Sequence, residues 1–152
     1  MDPREEILAR LLEIAGGVDA TLNARRNETV LADSALPVVV LLDGEELAAD
    51  DDPEGRPASA PRRVTMTPEV QFRLASSAAE VGTRLNELRA KLIKAVLSDA
   101  ALLALTENGR SARYLGSNMV AERGRSMEGG IGVAFAFRYL MRPGSLVEEV
   151  TA

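Results

Sequence analysis

The sequence predicts an α+β domain in which a mostly antiparallel sheet of about four to five strands is packed by an N-terminal helix and a long central helix. Three observations carry this. Residues 63–74 alternate apolar and polar side chains with a period of two. Two other segments, within 3–16 and 78–97, repeat aliphatic residues at helical spacing. The strands also come in runs separated by helices, where a parallel α/β sheet would alternate them one for one.

In chain order, Asp2 is placed to cap a helix, with Pro3 at its first position and Glu5 three residues beyond the cap. Ile7, Leu8, Leu11, Leu12 and Ala15 form its apolar stripe, and Gly16-Gly17 end it. Ala20 to Arg25 reads as a strand with a basic end. PVVVLLDG (Pro37–Gly44) lacks alternation and reads as a central strand buried on both faces. Asp43-Gly44 is a turn signal.

From 44 to 62 the chain is an acidic Pro/Gly loop. Asp43, Glu45, Glu46, Asp50, Asp51, Asp52 and Glu54 crowd together, and Pro53, Gly55, Pro57 and Pro61 break regular structure. A loop of this length inside a compact domain is functional or disordered. Arg63 then begins a strand with Val64, Met66, Pro68, Val70, Phe72 and Leu74 on one side, where Pro68 implies a bulge or an edge position.

Ser77 and Glu80 have capping-box spacing, and Val81, Leu85, Leu88, Leu92, Ala95 and Val96 continue as one stripe, predicting a helix over Ala78–Leu97. Asp99 caps a short helix through Leu105, and Glu107-Asn108-Gly109 turns the chain. Ala112–Ala121 reads as a strand with an irregularity at Gly116. In GGIGVAFAFRYLMRP, Ile131, Val133, Phe135, Phe137, Tyr139 and Met141 make a bulky face, and Gly132, Ala134 and Ala136 a small one. Small residues there admit a close neighbour, either a helix or another subunit. The expected organisation is one domain over 1–143, with 144–152 a tail or arm.

Composition narrows the chemistry. The 152 residues hold no cysteine and no histidine, which removes thiolate nucleophiles, disulfides, Cys- or His-ligated metal and the commonest general base. Net charge is −5, which argues against a large phosphate-binding footprint. The acidic N-terminal segment lacks the basic start of a signal peptide, and no apolar run reaches the roughly 18 residues of a membrane helix. The contiguous Asp50-Asp51-Asp52 lacks the spacing of a calcium loop. A flexible acidic loop does not hold two carboxylates at the fixed separation that glycoside hydrolysis requires. GGIGVAF lacks the Lys-Ser/Thr of a P-loop, and Ser111, Ser117 and Ser126 have no histidine partner. Arg25, Arg26, Arg62, Arg63, Arg110, Arg113, Arg123 and Arg125 flank strands or loops and are expected to gather at one end of the sheet. Without exposed aromatics for base stacking, protein contact suits them better than nucleic acid.

The segments ETVLADSALPVVVLLDGEE, RRVTMTPEVQF, EVGTRLNELRAKLIKAVLSDAALLAL and RGRSMEGGIGVAFAFRYLMRP, with the acidic loop between the first two, together resemble the tail terminator (tail completion) proteins of long-tailed bacteriophages and phage-like particles. The resemblance covers nearly the whole chain and rests on the order of elements. It implies a non-enzymatic virion protein, assembled in the bacterial host cytoplasm. Such a protein forms a ring, typically a hexamer of itself, that caps the tail tube protein and meets a head–tail connector or stopper protein. DNA passes through the lumen without specific binding, and no cofactor, metal or membrane is involved. Glu45, Glu46, Asp50, Asp51, Asp52 and Glu54 are then candidates for lining the lumen or docking on the tube, and Arg62, Arg63, Gly132, Ala134 and Ala136 for subunit contact. The alternatives are another neck or minor tail protein, such as a head–tail adaptor, or a cytosolic nucleic-acid-binding α+β module. A hydrolase using acidic residues ranks last.

Overall fold

The computed structural model describes residues 2–122 and 128–145. Among these the elements run α1 (Pro3–Gly16), β1 (Asn23–Arg26), β2 (Val38–Leu42), β3 (Glu46–Ala48), β4 (Arg62–Met66), β5 (Glu69–Ala75), α2 (Val81–Ser98), α3 (Ala100–Ala104), β6 (Ala112–Glu122) and β7 (Glu128–Met141). The fold is α+β. The seven strands form one mixed sheet in the order β1-β2-β5-β7-β4-β3, with β6 added to β7. Only the β1–β2 pair is parallel.

The sheet has more strands than the expected four to five because two long lines of chain are each broken once. β4 and β5 both lie along β7 in one unbroken register, with Met66 opposite Phe137 and Glu69 opposite Ala134. Pro68 interrupts the line because it has no N–H to give, yet its carbonyl still accepts from the Phe135 N–H at 3.2 Å. The bulge expected at Pro68 sits on the neighbouring line instead. Leu42 faces Glu69 and Glu46 faces Met66, so Asp43-Gly44-Glu45 spans the same distance as Thr67-Pro68. The extra residue is absorbed at Gly44, whose φ of 71° is left-handed and whose missing Cβ would stand 2.2 Å from the Thr67 carbonyl oxygen. Glu46–Ala48, expected to be irregular, is therefore a strand.

The first strand begins at Asn23 and not at Ala20, because Asp19 holds a turn: it accepts from the Thr21 N–H at 2.9 Å and the Thr21 hydroxyl at 2.7 Å. α1 starts as expected, with the Asp2 side chain accepting from the Arg4 N–H at 2.9 Å. Glu5 does not complete a capping box; its carboxylate takes both terminal nitrogens of Arg26 at 2.7 and 2.8 Å. α2 begins at Val81, one turn later than expected. Ser77 caps nothing with its side chain, and its carbonyl instead closes a turn with the N–H groups of Glu80 and Val81. Val81 then packs where β7 has only Gly129, whose Cβ would lie 2.7 Å from Val81 Cγ2. Asp99 does cap α3, accepting from the Leu102 N–H at 2.8 Å.

The helices lie on one face of the sheet, here the helix face. Ile7, Leu8 and Leu11 of α1 and Leu85, Leu88, Leu92 and Val96 of α2 bury against Val39, Leu41, Val64, Met66, Val70, Phe72 and the odd-numbered residues 131–139 of β7. The core is almost wholly aliphatic apart from Phe72, Phe135, Phe137 and Tyr139. β2 is buried on both faces, as its lack of alternation predicts, with Val38 to Leu41 all at zero exposure.

Candidate functional site

Among the described residues the opposite face of the sheet carries no α-helix. Cross-strand partners share a face, so Asn23, Arg25, Val38, Val40, Glu69, Gln71, Arg73, Thr65, Arg138 and the small residues Gly132, Ala134 and Ala136 all lie here. Two connections cover parts of it, so it is a loop face.

The first is the segment before β2. The Asn23 amide nitrogen donates to the Ala35 carbonyl at 2.9 Å, and Leu31 and Leu36 form one wall of a cleft of about 350 Å³. Glu69, Gln71, Arg73, Asn118 and the glycines of β7 line the rest. The small residues of β7 first serve the chain itself. A Cβ at Gly132 would sit 1.9 Å from Glu69 Oε1, so the glycine is the floor on which the Glu69 side chain lies. Ala136 is 6% exposed, and of the expected contact trio only Ala134 is half-buried.

The second connection is the acidic loop, residues 49–61. It is tied to the sheet. Ala49 N–H donates to the Arg63 carbonyl at 2.8 Å, and Arg63 N–H returns to Asp52 Oδ1 at 2.9 Å. The Asp52 side chain, 2% exposed, also pairs with Arg62. Asp51 reaches Arg138 on β7, and Arg138 in turn meets Glu107 at 2.7 Å, as does Arg63 at 3.1 Å. Single exposed ion pairs contribute little. Here several share partners and act with backbone hydrogen bonds, which sets the path of the loop. The Arg138 guanidinium holds the Asp51 carboxyl below the usual carboxylate range. Asp52 is lowered first by the Arg63 N–H and then by Arg62.

The predicted acidic set therefore divides. The Asp52 side chain is buried and Asp51, itself exposed, reaches back to Arg138, so these two act as anchors. Glu46 also turns inward, its carboxylate 3.7 Å from Arg4 and beside the Tyr139 hydroxyl, which burial pushes well above the ordinary phenol range. Glu45, Asp50 and Glu54 are exposed. The described arginines gather only in part: Arg62, Arg63, Arg110 and Arg113 lie toward the end of the sheet where β7 finishes, and Arg25 and Arg26 lie level with Gly132 and Val133. Arg26 is held by Glu5 and Asp43, Arg62 and Arg63 anchor the loop, and Arg110 and Arg113 are exposed at the start of β6. Arg123 and Arg125, and the tail from 146 onward, lie outside the described residues.

Arg138 and Glu107 were missed from sequence as anchors. Arg138 had a signal, being the one charge inside the apolar run FAFRYLM; Glu107 in its turn had none. Among the described residues no group of three or more Asp or Glu side chains is arranged to hold a metal ion, and no helix is long and apolar enough to cross a membrane. No protein-family model matches the chain, and no curated protein is similar to it.

Proposed function

We propose that the protein is a tail terminator, a ring-forming virion protein that caps a phage-type tail tube and presents a surface to the head connector. The observation that carries this reading is the acidic loop. It is held on the sheet by Asp51 and Asp52, while Glu45, Asp50 and Glu54 point to solvent. That is a positioned acidic surface and not a loose arm. In a ring crossed by DNA, such a surface repels phosphate over roughly a Debye length of about 8–10 Å and keeps the passage from sticking. The buried small-residue strip and the covered Asp52 support a rigid subunit, as a device acting by geometry requires.

The test is particle assembly without this chain. Tails that grow to irregular lengths and fail to join heads are the expected result. Normal tails of uniform length would overturn the reading, as would the absence of this chain from mature particles.

A further inference from the structure

We propose that one copy of this chain binds the next by joining the free edge of β6 to the free edge of β3, so that the sheet runs on from subunit to subunit. This rests on the ring reading and names its contact surface.

Among the described residues each of these strands has a neighbour on one side only: β6 pairs with β7 and β3 with β4. The outer edge of each offers backbone N–H and C=O groups to an incoming strand. Exposed sheet edges are ordinarily guarded by charge, proline or a bulge. β6 has a bulge at Leu115, between the pairs Tyr114–Phe135 and Gly116–Ala134. Beyond it, Gly116–Ala121 carries no charge and no proline. Apolar side chains stand free at both edges: Leu115 is 45% and Met119 47% exposed on β6, and Leu47 is 60% exposed on β3.

Charge decides which edge meets which. Arg110 and Arg113, at the start of β6, are exposed and form no ion pair among the described residues. Glu45 and Asp50, which flank β3, are exposed and likewise form no ion pair among the described residues. β6 against β6 pairs antiparallel about a two-fold, which sets Arg113 of each copy against the uncharged Gly116–Ala121 end of the other and gains no ion pair. β6 against β1 would bring the β6 arginines to Arg25. β6 against β3 brings opposite signs together, and like charges facing across a sheet are unfavourable. Because the two edges differ, the contact is head to tail; it closes into a ring if the rotation per subunit divides a full turn.

The chain has no cysteine, so introduced thiols report cleanly. Leu47 and Asn118 both stand at sheet edges on the loop face. The double variant Leu47→Cys/Asn118→Cys, treated with a short bis-maleimide as the full-length purified protein, is expected to give a ladder of covalent multimers of 16.2 kDa. Neither single variant should do so. Leu47→Lys should shift the native mass to that of the monomer while leaving the unfolding transition in place. Dimers from Asn118→Cys alone would mean β6 pairs with itself and would overturn the proposal. Oligomers that form normally but never cross-link through the double variant would overturn the edge pairing and leave the ring intact. A monomer at every concentration would overturn the edge pairing, and the tail-length experiment decides the ring reading independently.

Discussion

Arg138 on β7 and Asp51 in the acidic loop form an ion pair across 87 residues of sequence, and Glu107 bonds the same guanidinium from the turn before β6. Three parts of the chain thus converge on one side chain. Arg138→Leu keeps the aliphatic bulk and removes the fork. The expected result is faster amide hydrogen exchange over residues 49–61 with little change in the exchange of β5. Unchanged exchange in the loop would show that the backbone bonds to Arg63 suffice by themselves.

A second ionic cluster makes stability depend on pH. Arg26 bonds Glu5 on α1 and Asp43 after β2, and its hydrogen bonds are the largest cause of the lowered pKa of each carboxyl. Folded values below the unfolded ones mean the contribution is complete above the ordinary carboxylate range. It is lost as pH falls through the depressed folded values. Urea midpoints should therefore begin to drop below about pH 4, the ordinary carboxylate range, where the unfolded chain takes up protons before these two groups do in the folded protein. Arg26→Gln should lower the neutral-pH midpoint and flatten that dependence. An equally steep acid limb in Arg26→Gln would assign it to other groups.

Two glycines with similarly short contacts should respond to substitution very unequally. At Gly44 the obstruction is the Thr67 backbone and φ is 71°, so Gly44→Ala meets both a fixed atom and a strained conformation. A loss of at least about 1–3 kcal/mol is expected from the backbone strain. At Gly132 the obstruction is the end of the Glu69 side chain, which can swing toward the cleft. Gly132→Ala should change stability far less, and Gly132→Ala in a Glu69→Ala background should be close to neutral. Chemical denaturation of the four proteins settles the order.

The period-two run at 64–74 and the stripe from Leu85 to Val96 were legible because burial against a core imposes a repeat on the sequence itself. Gly44 was legible only as a turn. Its true place, a bulge opposite Pro68, depends on two registers that no single segment contains. Glu46–Ala48 was illegible for a related reason: a three-residue strand is too short to show alternation and sits among acids. The acidic loop was visible as charge, but its anchors were not, because Asp51 and Asp52 differ from Asp50 only in which arginine they reach after folding. The small residues of β7 were read as room for a neighbour. At Gly132 that neighbour is Glu69 of the same chain.

The stripe of α2 gives a direct check on the core. Leu92 is wholly buried and Leu88 nearly so. Leu92→Ala should cost about 2–5 kcal/mol. Leu92→Asp or Leu88→Asp should prevent folding, since an unpaired buried charge costs a large part of the roughly 5–15 kcal/mol that holds a domain together. Normal thermal unfolding of either aspartate variant would mean that the helix buries another face.

The acidic surface separates the two roles considered for the loop, and the structure determines which residues must be changed to do it. Replacing Asp51 and Asp52 would release the loop from Arg138 and Arg62 and confound charge with unfolding. Glu54 is exposed, anchors nothing on the sheet and lies outside the proposed β3–β6 contact, so reversing it to lysine alters the field while leaving the path of the chain and the subunit contact. If the loop lines a lumen, particles carrying Glu54→Lys in every subunit should assemble with tails of normal length but eject DNA slowly. Added salt should relieve the defect, because screening shortens the reach of the new positive charges. If the loop docks on the tail tube, the same particles should show tails of irregular length and no salt-dependent delay. Uniform tails with normal ejection would remove both roles. The expected outcome is the first, since a loop already fixed to its own sheet has little chain left free to reach a partner.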